Sequence, residues 1–108
     1  MIALSIITVC LNEERRIEKT AYSIVTQKCR EFEWIVIDGG STDGTLDILK
    51  RYNNNIKIII SEKDQGVYDA MNKGILCSEG EYCLFMNGGD KLYDFNAIKC
   101  FLELNKMF

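Results

Sequence analysis

The chain alternates between short apolar runs typical of buried strands and amphipathic runs, and this alternation constrains its fold more than any other feature. The strand-like runs cover residues 3–10, 33–38, 56–60 and 82–86, and the first is rich in β-branched residues. Between and after them, apolar residues recur at a helical spacing. Proline is absent, so glycine clusters alone punctuate the 108 residues. The pattern predicts one α/β domain of order βαβαβαβα, with a parallel sheet covered by helices on both faces.

The helical spacing also predicts where each helix starts and which face it buries. Asn12 is expected to cap the first helix, with Glu13 and Glu14 in its first turn. Asp64 or Gln65 is expected to open the third helix. The residues expected to face the core are Ile17, Ala21, Ile24 and Val25, then Leu46, Leu49 and Tyr52, then Val67, Met71 and Ile75, and finally Ile98, Phe101 and Leu102.

Composition excludes several classes of protein. The net charge is −3 and the basic residues do not cluster, so nucleic acid is not an expected partner. Histidine is absent, which excludes a Ser-His-Asp triad, a Cys-His pair and a zinc site containing histidine. No apolar run approaches the roughly 18 residues that span a bilayer. The start of the chain lacks the basic region and cleavage site of a signal peptide.

Cysteine usage indicates a reducing compartment. Five cysteines are scattered without a CxxC pair, and we expect them to be buried, reduced thiols. The predicted location is therefore cytoplasmic, or the inner face of the membrane for a longer protein.

Polar residues concentrate where the predicted strands end. In parallel α/β sheets, ligands bind beyond the carboxyl ends of the strands. Neither GxGxxG nor the phosphate-binding GxxxxGK[ST] pattern occurs there. A carboxylate-rich edge repels phosphate unless a divalent cation intervenes. The sequence therefore predicts a nucleoside diphosphate held through a metal, with a carboxylate that contacts the base or ribose.

Each candidate residue at this edge also has a structural interpretation. Asp38 either faces ligand donors or caps the next helix, in competition with Ser41 and Asp43. Glu13 either contacts ligand or favours a helix dipole. Asp64 is a cap or a contact. The segment from Asn87 to Asp90 is either a simple turn or, because of its place at the ligand edge, a turn that contacts ligand.

Four motifs then carry a family resemblance: SIITVCLNEE (5–14), EWIVIDGGSTDGT (33–45), SEKDQGVYDAMNKGI (61–75) and GEYCLFMNGGD (80–90). They resemble family-2 glycosyltransferases of the GT-A fold, in particular bacterial enzymes of surface-polysaccharide assembly. The resemblance implies that residues 1–108 form the Rossmann-like, nucleotide-binding half of a GT-A domain. It also implies inverting transfer of a sugar from a nucleoside diphosphate, with UDP favoured, to a hydroxyl of a saccharide or lipid-linked acceptor.

The resemblance assigns roles to residues by position. It implies that the nucleotide is bound by Val9, Leu11, Glu13, Ile37, Asp38, Asp64 and Gly66, with Asp38 on the base. It implies that Asp90 binds Mg²⁺ or Mn²⁺. The family's usual proline and tyrosine are replaced by Val9 and Leu11, and Asn87 and Gly89 replace two metal-motif aspartates. The catalytic base is expected beyond residue 108, in the acceptor half of a longer enzyme.

Two alternatives to a transferase remain open. A non-catalytic module that binds nucleotide sugars would explain the short chain and the reduced metal motif. A signalling domain of the response-regulator type shares the alternating architecture. That class requires an acidic residue at the end of the third strand, where this chain has Ser61.

Overall fold

Strands and helices alternate through the whole described chain, as predicted. In the computed structural model, which describes residues 2–106, the elements are β1 (Leu4–Cys10), α1 (Ile17–Val25), β2 (Phe32–Asp38), α2 (Thr45–Lys50), β3 (Ile58–Ser61), α3 (Val67–Cys77), β4 (Tyr82–Asn87) and α4 (Ala97–Lys106). The strands form one parallel sheet of order β3-β2-β1-β4. The predicted α/β class and element order are confirmed.

The pairing register brings the ends of the strands together at one edge. Cys10 pairs with Asp38, and Asp38 pairs with Ser61. On the other side of β1, Val9 pairs with Asn87. The four loops that follow the strands therefore leave from the same edge, which is where a parallel sheet places ligands.

The central strand β1 is buried on both faces because helices cover each side of the sheet. Leu4, Ile6 and Trp34 pack with residues of α1, α2 and α4 on one face. Ile7 and Ile35 pack with α3 on the other. The alternation of side chains along a strand explains how adjacent residues of β1 serve two separate core clusters.

Two details of the helix prediction are wrong. α1 begins at Ile17, five residues beyond Asn12, and Asn12 has a left-handed φ of 52°. Its side chain accepts a hydrogen bond from the Thr42 amide at 2.8 Å instead of capping α1. Glu13 and Glu14 therefore lie in a turn, outside the first turn of the helix.

The buried face of α3 also differs from the predicted one. Val67 and Ile75 are 61% and 46% exposed, whereas Ala70 and Gly74 are buried. The small residues face the sheet because the helix lies very close to it. A Cβ at Gly74 would overlap the Cγ2 methyl of Ile7. Hydrophobicity alone pointed to the larger side chains, but close approach of the helix to the sheet selects the smaller ones.

Three further predictions concern the bounds of two elements, the state of the cysteines and membrane-spanning helices. β3 begins at Ile58, two residues later than predicted, and α2 ends before Tyr52. The five cysteines are free, but Cys83 and Cys100 are exposed, so burial of all five was a wrong expectation. Among residues 2–106, no helix has the length and apolar character needed to cross a membrane.

The packing of α3 predicts that one Gly→Ala substitution in this helix lowers the stability of the domain instead of raising it. Gly→Ala inside an exposed helix normally stabilises it by about 1 kcal/mol. Gly74→Ala should instead destabilise the domain by about 1–3 kcal/mol, because the new methyl group overpacks the core against Ile7. Urea unfolding would measure this. Asn72→Ala, at an exposed position of α3, is the matched control and should not destabilise. A Gly74→Ala variant as stable as the parent would contradict the close packing.

Candidate functional site

A cleft of about 560 Å³ lies at the carboxyl edge of the sheet. Its volume falls in the range of small-molecule sites. Loops that follow all four strands contribute to its lining, together with the start of α3. Six of the eight residues predicted from the sequence line it, namely Val9, Leu11, Glu13, Asp64, Gly66 and Asp90.

Ile37 and Asp38, the other two predicted residues, do not line the cleft. Ile37 is fully buried in the core under α3. Asp38 ends β2 at the edge of the cleft, but none of its surface is exposed. The structure therefore places Asp38 behind the wall of the cleft rather than on its surface.

The Asp38 carboxylate is occupied by hydrogen bonds from its own surroundings. Oδ2 accepts from the amides of Gly40 (3.1 Å) and Ser41 (2.8 Å) and from the Ser61 hydroxyl (2.9 Å). Oδ1 accepts from the Ser41 hydroxyl, and the Cys10 thiol lies 3.6 Å away. Burial raises the pKa of Asp38, but these hydrogen bonds outweigh it and hold the pKa below its ordinary value of 3.8. Burial raises the pKa of the Cys10 thiol, and the nearby Asp38 carboxylate raises it further, so the thiol stays protonated.

Through Ser41, this carboxylate orders two loops together. The Ser41 hydroxyl accepts from the Asn12 amide at 2.9 Å. The Glu13 amide donates to the Thr45 hydroxyl at 2.9 Å, and the Glu14 amide donates to the Asp43 carboxylate at 3.2 Å. The loops after β1 and β2 are thus joined side by side, and this arrangement shapes one wall of the cleft.

Asp64 is the carboxylate that reaches the cleft from the loop after β3. Its side chain is 12% exposed, and its Oδ1 lies 2.5 Å from the Lys73 ammonium on α3. Its Oδ2 lies beside Gly39, 3.1 Å from where a Cβ of that residue would be. Asp64 does not act as a helix cap, because α3 begins at Val67 without a side-chain cap.

Arg16 is a cleft residue that sequence reasoning missed. Its guanidinium forms an ion pair with Glu13 Oε2 at 2.7 Å. The two side chains fill the space left by Gly88 and Gly89, since a Cβ at either glycine would crowd them. The spacing of three residues between Glu13 and Arg16 was a usable signal for this pair. The structure also adds lining residues that were not assigned to the nucleotide or the metal, namely Cys10, Gly39, Val67, Ala70, Asn87 and Gly88.

Asp90 lies at the floor of the cleft, in a turn anchored on α1. The Thr20 hydroxyl accepts from the Gly89 amide at 2.8 Å and donates to the Asp90 carbonyl at 2.6 Å. One oxygen of the Asp90 carboxylate accepts from the Asn87 amide at 2.9 Å. Its second oxygen has no hydrogen-bond donor among residues 2–106.

These residues fit a metal only if the ligand completes its coordination. In the part of the chain that the structure describes, no three Asp, Glu or Cys side chains converge as a metal site. Mg²⁺ typically binds one or two carboxylates together with substrate phosphates. A single free oxygen on Asp90 satisfies that requirement when a diphosphate supplies the rest.

The role of Asp38 in the fold predicts a strong effect of Asp38→Asn. The NH₂ group of asparagine would face the N–H and O–H donors that surround this side chain. The free energy of unfolding near pH 7 should therefore fall by about 1.5–3 kcal/mol. Because the folded pKa of Asp38 lies below 3.8, the parent should lose this contribution as pH falls below that value. The variant should lack this part of the acid dependence. Urea unfolding at about pH 7 and about pH 3 measures both effects.

Asp47→Asn is the matched control, because Asp47 is exposed on α2. It should change stability by less than about 0.5 kcal/mol. If Asp38→Asn were as mild as the control, the network around Asp38 would not organise the two loops.

The geometry agrees with comparisons to known proteins. The family model for glycosyl transferase family 2 matches residues 5–103. A Mycobacterium bovis protein named PGL/p-HBAD biosynthesis glycosyltransferase is 41% identical over 97 residues, which cover 87% of this chain and 38% of that protein. A Bacillus subtilis protein named for teichuronic acid biosynthesis, TuaG, is 35% identical and covers 82% of this chain.

Solved structures show the same fold. S. aureus TarS 1-349 in complex with UDP-GlcNAc superposes with a TM-score of 0.89 at 26% identity. The match covers 98% of this chain and 32% of TarS 1-349. The chain therefore spans about a third of TarS 1-349 and less than two fifths of the Mycobacterium bovis relative. Its parallel sheet and carboxyl-edge cleft have the GT-A arrangement, and the chain belongs to glycosyl transferase family 2.

Proposed function

We propose that this chain is the donor-binding part of an inverting glycosyltransferase that uses a nucleoside diphosphate sugar. The acceptor is proposed to be a hydroxyl of a saccharide or lipid-linked molecule in polysaccharide or glycoconjugate synthesis. One observation carries this proposal: the cleft at the carboxyl edge brings six separately predicted residues to one surface. The longer protein is proposed to act in the cytoplasm or at the inner face of the membrane.

The wall of the cleft suits a nucleobase and ribose. Val9 and the half-exposed Leu11 offer an apolar surface, although no aromatic side chain stacks there. Asp64 offers the only carboxylate on the adjoining wall formed by Gly39 and Gly66. We infer that Asp64 accepts hydrogen bonds from the nucleoside. Asp38 would then act indirectly, by holding the loop that carries Gly39.

The opposite end of the cleft suits the diphosphate. Asp90 would hold Mg²⁺ or Mn²⁺ through its free carboxylate oxygen. When bound, the metal would supply Lewis-acid stabilisation of the diphosphate leaving group. Arg16 adds a positive charge at the same edge, while Glu13 restrains its guanidinium. No carboxylate of the cleft is assigned as the base.

The relatives support the donor class. TarS 1-349 binds UDP-GlcNAc, as its structure is described, and this chain covers its corresponding third. That similarity favours a UDP-sugar as the donor. The names of the bacterial relatives refer to PGL/p-HBAD biosynthesis and to teichuronic acid biosynthesis, which supports the proposed acceptor class.

A second candidate is a non-catalytic module that binds nucleotide sugars. The observation that favours it is the turn at Asn87 and Gly89, which leaves Asp90 as the only carboxylate of the metal motif. Both candidates require donor binding, and only the transferase requires turnover by the longer protein.

The proposal predicts metal-dependent binding of UDP. Calorimetric titration should show that Mg²⁺ or Mn²⁺ tightens UDP binding by about tenfold relative to EDTA, because the metal joins Asp90 to the diphosphate. Asp90→Asn should remove most of that difference. Asp47→Asn, which changes a carboxylate outside the cleft, should leave it unchanged.

Two results would count against the proposal. Failure of UDP, GDP and dTDP to bind under any metal condition would exclude both candidates. Binding that is equally tight in EDTA and Mg²⁺ would exclude the metal role of Asp90 while leaving the donor site in place.

A further inference from the structure

We propose that Lys73 is a positioning residue of the cleft, which holds Asp64 so that its free oxygen meets the bound nucleoside. Lys73 does not line the cleft, whereas Asp64 does. Of the three carboxylates that Lys73 contacts, Asp64 is the one that lines the cleft. The inference rests on the proposed nucleotide binding and adds a residue to which the sequence analysis assigned no role.

The contact between the two side chains is close and shielded. Lys73 Nζ lies 2.5 Å from Asp64 Oδ1, and the two side chains are 20% and 12% exposed. Oδ2 of Asp64 accepts no hydrogen bond from residues 2–106. A charge-assisted bond on one oxygen thus fixes the rotamer and leaves the other oxygen available to a ligand donor.

Lys73 also neutralises a local excess of negative charge. Its ammonium lies 3.0 Å from Glu62 Oε1 and 3.5 Å from Asp69 Oδ2, in addition to Asp64. Hydrogen bonding to Asp64, and then to Glu62, raises the pKa of Lys73, so it stays charged at neutral pH. Without this cation, the three carboxylates would repel one another. Asp64 would then turn away from Glu62 and Asp69 and lose its place in the cleft.

Gly39 provides an independent constraint on the same carboxylate. A Cβ at this position would lie 3.1 Å from Asp64 Oδ2, which is tight enough to displace it. The φ of Gly39 is not in the left-handed region, unlike that of Gly40, so alanine is accessible to its backbone. Gly39→Ala therefore shifts Asp64 without changing any charge. Because Gly39 also lines the cleft, the variant reports on Asp64 only if its effect disappears in an Asp64→Asn background.

The test is titration of the 108-residue chain with UDP and Mg²⁺. Lys73→Met should weaken UDP binding by about tenfold, and Lys73→Arg should stay within about threefold of the parent. Gly39→Ala should weaken binding in the same direction. Glu62→Gln is the matched control, because it removes another partner of Lys73 that does not line the cleft. It should bind UDP as the parent does.

A double-mutant cycle separates positioning from general damage. In an Asp64→Asn background, Lys73→Met should cost almost nothing more, because the residue through which it acts is already altered. Thermal unfolding of each variant checks that it is folded. If Lys73→Met does not fold, Lys73→Gln answers the same question.

The outcomes distinguish the inference from the proposed function. If the parent chain binds no UDP, the proposed function fails and the inference fails with it. If the parent binds UDP but Lys73→Met binds within twofold of it, the inference alone is wrong. Equal cost of Lys73→Met in the parent and Asp64→Asn backgrounds would also overturn it.

Discussion

The cleft depends on the hydrogen bonds that the buried Asp38 carboxylate accepts. Asp38 lies at the end of β2, next to the ends of β1 and β3. Because it is fully buried, it needs donors, and it takes them from Gly40, Ser41 and Ser61. Ser41 in turn receives the Asn12 amide. One carboxylate thus determines the path of two loops, and these loops determine the shape of the site.

Close packing on the other side of the sheet has a similar consequence. α3 approaches β1 so closely that Gly74 touches Ile7, and this contact fixes where the helix lies. The start of the same helix brings Gly66 and Val67 to the cleft, and its second turn carries Lys73. Core packing of one glycine and the position of the Asp64 carboxylate are therefore linked through one rigid element.

Most carboxylates of the cleft form ion pairs with cationic side chains, which reduces the negative charge of the cleft. Glu13 pairs with Arg16, and Asp64 pairs with Lys73. Asp90 has no cationic partner among residues 2–104, whose side chains the structure describes. An anionic ligand thus meets one uncompensated carboxylate, at the position where a divalent metal fits. This distribution would let the acidic edge accommodate the proposed diphosphate, which unpaired carboxylates would repel.

The sequence by itself determined the element order, the parallel sheet and the edge at which the site lies. Those features follow from the local spacing of apolar residues and from the continuous apolar character of buried strands. Both can be seen in the sequence itself. It also placed Asp64, Gly66 and Asp90 in the cleft correctly. It did not show that Asp38 lies behind the wall, that α1 starts after Asn12, or that Arg16 and Lys73 hold the acidic residues.

Only the tertiary structure decided those points, for a common physical reason. Asp38 accepts from Ser61 in addition to its neighbours Gly40 and Ser41, Asn12 accepts from Thr42, and Lys73 donates to Asp64. The separations from Ser61, Thr42 and Asp64 are 23, 30 and 9 residues respectively. A side chain that satisfies a distant donor has the same local pattern as one that caps a helix or meets a ligand. Which of these it does depends on what the fold brings beside it.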